Sequence, residues 1–134
     1  MQTQRTVRNA MYLVFALVFI LGGCSSDDDP TTPEANPFAG VWDITFEGTY
    51  SASESGTIGD DGSCTEEVVL SDGTGSFTNT VSFEVNSDGS ISNGKIFYEG
   101  NEVGTVSGNF TGNSGSGTYA TIQPSSGTWT ASKQ

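Results

Sequence analysis

From residue 38 onward the chain alternates large apolar residues with small polar ones and breaks at a glycine-containing turn about every ten residues. A period of two fits strands with one buried face, and no stretch carries the 3.6-residue period of an amphipathic helix. At 41–47, Trp42, Ile44 and Phe46 share one face and Asp43, Thr45 and Glu47 the other. At 77–85, Phe77, Val81, Phe83 and Val85 stand against Thr78, Thr80, Ser82 and Glu84. Further strands are expected at 64–70, 91–98, 103–110, 117–122 and 127–133, with 58–62 as loop and a bulge at Gly94. Asn86-Ser87-Asp88-Gly89-Ser90 is a hairpin signal, because glycine or asparagine suits positions where a tight turn needs a positive φ.

A recurring triplet supports this reading. Gly48-Thr49-Tyr50, Gly56-Thr57-Ile58, Gly75-Ser76-Phe77, Gly104-Thr105-Val106, Gly117-Thr118-Tyr119 and Gly127-Thr128-Trp129 all run glycine, hydroxyl, large β-former. The glycine lets the chain bend, the hydroxyl faces water and the large residue faces a core. Seven to eight short antiparallel strands within residues 38–134 must hide their edges, so the expected fold is all-β, a small meander barrel, with a sandwich as the other solution.

Ahead of this domain lie Arg5 and Arg8, an apolar run from Met11 to Leu21, and then Gly22-Gly23-Cys24. The run is shorter than the roughly 20 apolar residues a spanning helix needs. Leu21-Gly22-Gly23-Cys24 resembles the lipobox of bacterial lipoproteins. The resemblance implies that 1–23 is a signal peptide and that Cys24 becomes the acylated first residue of the mature chain. Several acyl chains, at about 0.8 kcal/mol per buried methylene, hold a protein on a bilayer effectively for good. Residues 24–37 hold Asp27, Asp28, Asp29 and three prolines, and are expected to form a flexible acidic tether. That acidic start resembles the export signal that carries lipoproteins to the outer membrane surface in one group of Gram-negative bacteria. The expected location is therefore the cell envelope, at the outer membrane, with the barrel facing either the periplasm or the exterior.

Without 1–23 the chain keeps Lys95 and Lys133 as its cations against all 16 acids, a formal charge of −14. Such a surface repels phosphate backbones and anionic headgroups, which excludes nucleic acid as a partner and leaves membrane attachment to the acyl chains. The chain has no histidine. The usual serine or cysteine triads therefore lack a base, and zinc lacks its common ligands. Carboxylates are plentiful, but nothing in their spacing selects a glycosidase pair. Residues 59–63 and 86–89 lack the spacing of an EF-type calcium loop and are expected to be turns. The expectation is a protein without catalysis, cofactor or metal. Cys64 is the one cysteine left once Cys24 carries lipid, and is expected to act as a small buried apolar residue.

Phe38-Ala39-Gly40-Val41-Trp42-Asp43-Ile44 resembles the opening Gly-X-Trp strand of lipocalin-like barrels, including small bacterial lipoproteins with such a domain. The resemblance implies that Trp42 closes one end of the barrel, with Lys133 from the last strand packed over it as a cation–π partner. It also implies a carrier for a small apolar ligand, contacted by inward aromatics such as Phe46, Phe83, Phe97 and Tyr119. The chain departs from ordinary lipocalins in being shorter, in lacking their C-terminal helix and in placing its basic residue almost at the end. A barrel this small can also be filled by its own side chains. In that case its Thr-rich, acidic outer face is left as a surface that contacts protein or glycan. A cavity of roughly 300 Å³ or more separates the two readings.

Overall fold

The computed structural model describes residues 32–122 and 125–134, so the expected signal peptide, Cys24 and most of the tether lie outside the described residues. Eight antiparallel strands follow one another: β1 (Gly40–Gly48), β2 (Ala52–Ile58), β3 (Ser63–Ser71), β4 (Ser76–Val85), β5 (Ile91–Tyr98), β6 (Asn101–Thr111), β7 (Ser114–Thr121) and β8 (Ser126–Lys133). Each pairs with the next except β2 with β3, and β8 returns to pair with β1, giving the order β2-β1-β8-β7-β6-β5-β4-β3. The result is an up-and-down barrel with a single seam.

The seam between β2 and β3 is held at both ends. At one end the chain turns through 59–62, where the Gly59 N–H donates to the Ser63 carbonyl at 2.8 Å. At the other, Ser51 and Ser71 exchange backbone hydrogen bonds of 2.9 and 3.0 Å. Between these points carboxylates replace the missing ladder: Glu66 Oε1 accepts from the Thr57 N–H at 2.9 Å, and Glu54 Oε1 from the Val69 N–H at 3.5 Å. These contacts cover backbone donors that an open sheet edge otherwise presents to other chains.

Strand β2 is the element that alternation does not announce. Its inward positions are Ala52, Glu54, Gly56 and Ile58, so three of the four carry no large apolar side chain. Across β4 and β5 the register slips between Ser82 and Glu84, so that Asn93 and Gly94 together oppose Phe83. Asn93 takes the positive φ of 52° at this bulge, and its Nδ2 donates to Glu84 Oε2 at 2.8 Å. The bulge inserts one residue and reverses the inward parity along the rest of β5.

Inward residues of all eight strands form one core, with its densest aromatic packing at the end where β1 begins. Trp42 has no exposed surface, and its indole N–H donates to the Phe38 carbonyl at 2.8 Å. Phe110 meets Trp42 edge-on at 4.9 Å between centroids, and Phe38, Trp129 and Phe83 surround Phe110 at 6.0, 5.4 and 6.2 Å. Aromatic pairs of this kind contribute about 0.5–1.5 kcal/mol beyond the area they bury. Lys133 Nζ lies 5.9 Å from the centroid of the Trp42 ring. Asn36 is tied to the same end, its N–H donating to the Asp60 carbonyl at 2.8 Å and its Nδ2 to the Val85 carbonyl at 2.6 Å. The ordered contacts of the barrel therefore reach two residues into the segment expected to be tether.

Candidate functional site: an apolar cavity at one end of the barrel

The end opposite Trp42 is not filled. A cavity of about 360 Å³ lies among the ends of the β1–β2, β3–β4, β5–β6 and β7–β8 connections. Phe46 and Tyr119 form one wall, edge to face at 5.9 Å. Val68 and Leu70 of β3 supply another, and Val81 and Ile96 lie deepest, next to the aromatic cluster that closes the far end. Around the mouth Tyr50, Phe77 and Tyr98 form a chain of edge-on rings at 4.9 and 6.0 Å. Ile122, 79% exposed, completes the rim on the β7–β8 connection.

Why the cavity exists follows from the sequence of β7 and β8. Gly117 pairs with Trp129 and Tyr119 with Gly127, so each aromatic ring lies across a glycine on the neighbouring strand. A Cβ on Gly117 would stand 1.9 Å from the Ser107 carbonyl oxygen and 2.6 Å from Trp129 Nε1. The two rings are thus drawn against the sheet, where Trp129 Nε1 donates to the Ser107 carbonyl at 3.0 Å and the Tyr119 hydroxyl to the Tyr50 carbonyl at 3.1 Å. Tyr119, held against the wall, leaves the axis of the open end free, whereas Trp129 packs on Phe110 toward the closed end.

The polar groups in the lining are few and mostly satisfied. Thr121 Oγ1 and the buried Ser125 Oγ lie 2.5 Å apart. Asn79 differs: it is 3% exposed, lines the cavity, and its buried Oδ1 has no hydrogen-bond partner among the described residues. Among the described residues, no carboxylate, amine or thiol belongs to the lining. What the arrangement offers is an apolar volume with the amide of Asn79 set in its wall.

Of the four aromatics expected to touch a ligand, Phe46 and Tyr119 line the cavity. Phe83 faces inward but at the closed end, stacked on Phe110, because alternation fixes the face of a strand and not the height along the barrel. Phe97 faces outward. It pairs with Thr80 on the outer face, since the bulge at Asn93 and Gly94 shifts the inward positions to Ile96 and Tyr98. Asn79 was absent from the expected set, although its signal is plain in the sequence: it is the polar residue at the inward position between Phe77 and Val81.

The remaining titratable groups have structural surroundings. Cys64, 2% exposed near the closed end, has its thiol pushed up to about 12 by burial and then by the nearby Glu66 charge. It carries no thiolate at neutral pH. Asp43 accepts from Gln134 Nε2 at 2.6 Å and Ser55 Oγ at 2.8 Å, and these two bonds hold its carboxyl below the ordinary range. No cluster of three or more His, Cys, Asp or Glu side chains suited to a metal ion occurs among the described residues. Comparison with protein families, with curated proteins and with solved structures finds no match to this chain.

Proposed function

We propose that this chain is a lipid-anchored protein of the bacterial cell envelope whose barrel takes up a small apolar ligand through its open end, in the manner of a lipocalin-like carrier. The observation that carries this reading is the 360 Å³ apolar cavity, within the usual size range of small-molecule sites and open past exposed Ile122. Support for the anchor comes from Leu21-Gly22-Gly23-Cys24 and the acidic, proline-containing segment after it. Support for binding comes from the apolar character of the lining, with Phe46, Val68, Leu70, Val81, Ile96 and Tyr119 among it. A tethered carrier of this kind would hold an apolar molecule near a membrane while its charge of −14 keeps the barrel off anionic headgroups.

Two measurements test the proposal. Cys24→Ser should move the protein out of the detergent-extracted membrane fraction, and unchanged fractionation contradicts the anchor. A ligand that binds the folded barrel at about 100 times its dissociation constant adds roughly 2.7 kcal/mol of stability. For a domain of this size that is a rise in Tm on the order of ten degrees. Thermal unfolding of the full chain, followed by the near-ultraviolet circular dichroism of Trp42 and Trp129, should show such a rise with excess 1-decanol. An unchanged Tm contradicts the carrier reading.

A further inference from the structure

We propose that the ligand is a single aliphatic chain carrying a neutral carbonyl, a ketone or ester, within its length, and that the side-chain amide of Asn79 selects it by donating an Nδ2 hydrogen to that carbonyl. The inference rests on the carrier reading above and adds the chemistry of the ligand. Asn79 is 3% exposed and faces inward from β4, opposite Val68 of β3, which also lines the cavity. Its Oδ1 is covered, whereas its Nδ2 keeps accessible surface and donates to no group among the described residues. An amide nitrogen carries two donors, and donors left unmet among apolar side chains cost stability that a ligand acceptor restores. Leucine, of similar shape, would continue the apolar alternation of β4 without that cost. The other buried hydroxyls of the lining are engaged within the protein, Tyr119 with the Tyr50 carbonyl and Ser125 with Thr121.

Position, charge and size narrow the class. Asn79 stands two residues from Phe77 at the mouth and two from Val81 in the depth, about 7 Å along the strand in each direction. A donor midway down an apolar wall suits an acceptor flanked by apolar groups on both sides, which is a carbonyl inside a chain and not a terminal headgroup. A carboxylate would lose its hydration here with no cation among the described lining residues to pair with, and would approach a strongly acidic protein. A methylene takes roughly the space of a water molecule, about 30 Å³, so 360 Å³ admits on the order of ten such groups and excludes a diacyl lipid.

The probes are 5-nonanone, its isomer 2-nonanone with the carbonyl next to one end, and 1-chlorooctane, a chain of similar size without a carbonyl. Each is titrated against the full chain and against its Asn79→Leu variant, with affinity read from the rise in Tm. 5-Nonanone is expected to bind the wild type more tightly than 2-nonanone and to lose about tenfold in Asn79→Leu, the loss of one hydrogen bond, while 1-chlorooctane binds the variant at least as well. With wild-type protein in excess, the infrared carbonyl band of bound 5-nonanone should lie below its position in hexane, the sign of an accepted hydrogen bond. A band at the hexane position, or an equal loss of ketone and chloroalkane in Asn79→Leu, overturns donation by Asn79 and leaves the carrier reading standing. Equal binding of the two ketones overturns the placement of the carbonyl within the chain. A Tm unmoved by any of the three overturns the carrier reading itself. The infrared band is read on the wild type and decides the question even where the variant folds poorly.

Discussion

The indole of Trp42 is fully enclosed, with its N–H bonded to Phe38, its edge against Phe110 and Lys133 over its face. Truncation leaves a large void that the surrounding rings cannot all collapse into. Trp42→Ala is therefore expected to destabilise the barrel by about 3–5 kcal/mol. One position along, Asp43 points to water, and Asp43→Asn retains an acceptor for Ser55 and Gln134, so a change below about 0.5 kcal/mol is expected. Urea titrations of the two variants check both figures. A tolerant Trp42 together with a sensitive Asp43 would contradict the register of β1. The same register was legible in the sequence, because Trp42, Ile44 and Phe46 alternate without interruption. Asn79 was equally visible in position, but a lone polar residue in an apolar alternation gains meaning only once the space in front of it is known.

At the scale of elements, three connections repeat one device. Asp61-Gly62-Ser63, Asp72-Gly73-Thr74 and Asp88-Gly89-Ser90 each place glycine at a φ of 85° to 89°. In each, the aspartate Oδ1 accepts the N–H and the hydroxyl of the residue two positions on, at 2.8–2.9 and 2.6–2.7 Å. The hydroxyl bond first, and the backbone bond second, lower all three carboxyls from the ordinary 3.8. A carboxyl with a depressed folded-state value adds stability that is fully present above the unfolded value and is lost as pH falls through the folded one. The melting temperature should therefore be steady above about pH 5 and fall below about pH 4, with a shallower fall in the triple Asp→Asn variant. Melting the two proteins across that interval checks it, and equal slopes contradict the part assigned to these turns.

The turn residues were readable because Asp-Gly-Ser carries its geometry in its composition. Strand β2 was not, because its inward face is mostly small or carboxylate and pairs with β1 on one side while its other edge meets the seam. Phe97 was misplaced for a different reason. A one-residue bulge reverses every later side chain, and its position at Asn93 and Gly94 determines which of two alternating sets faces inward. Local periodicity survives such a slip, but its phase does not.

As a whole molecule the barrel is polar along its axis. One end is plugged by Trp42, Phe110 and their neighbours and tied to Asn36, the residue through which the chain enters from the expected tether. The other end is open and apolar, so the entering chain and the mouth lie at opposite ends. On the carrier reading an apolar ligand occupies that open end and nothing deeper. Methyl NMR of the full chain saturated with 1-decanol tests this through intermolecular Overhauser contacts to the ligand. Contacts from the chain to the methyls of Val68, Leu70 and Val81, with none to Ile58 or Val85 at the closed end, are the predicted result. Contacts confined to the exposed outer-face methyls of Val41 and Val69, or none from Val68, Leu70 and Val81, would contradict it.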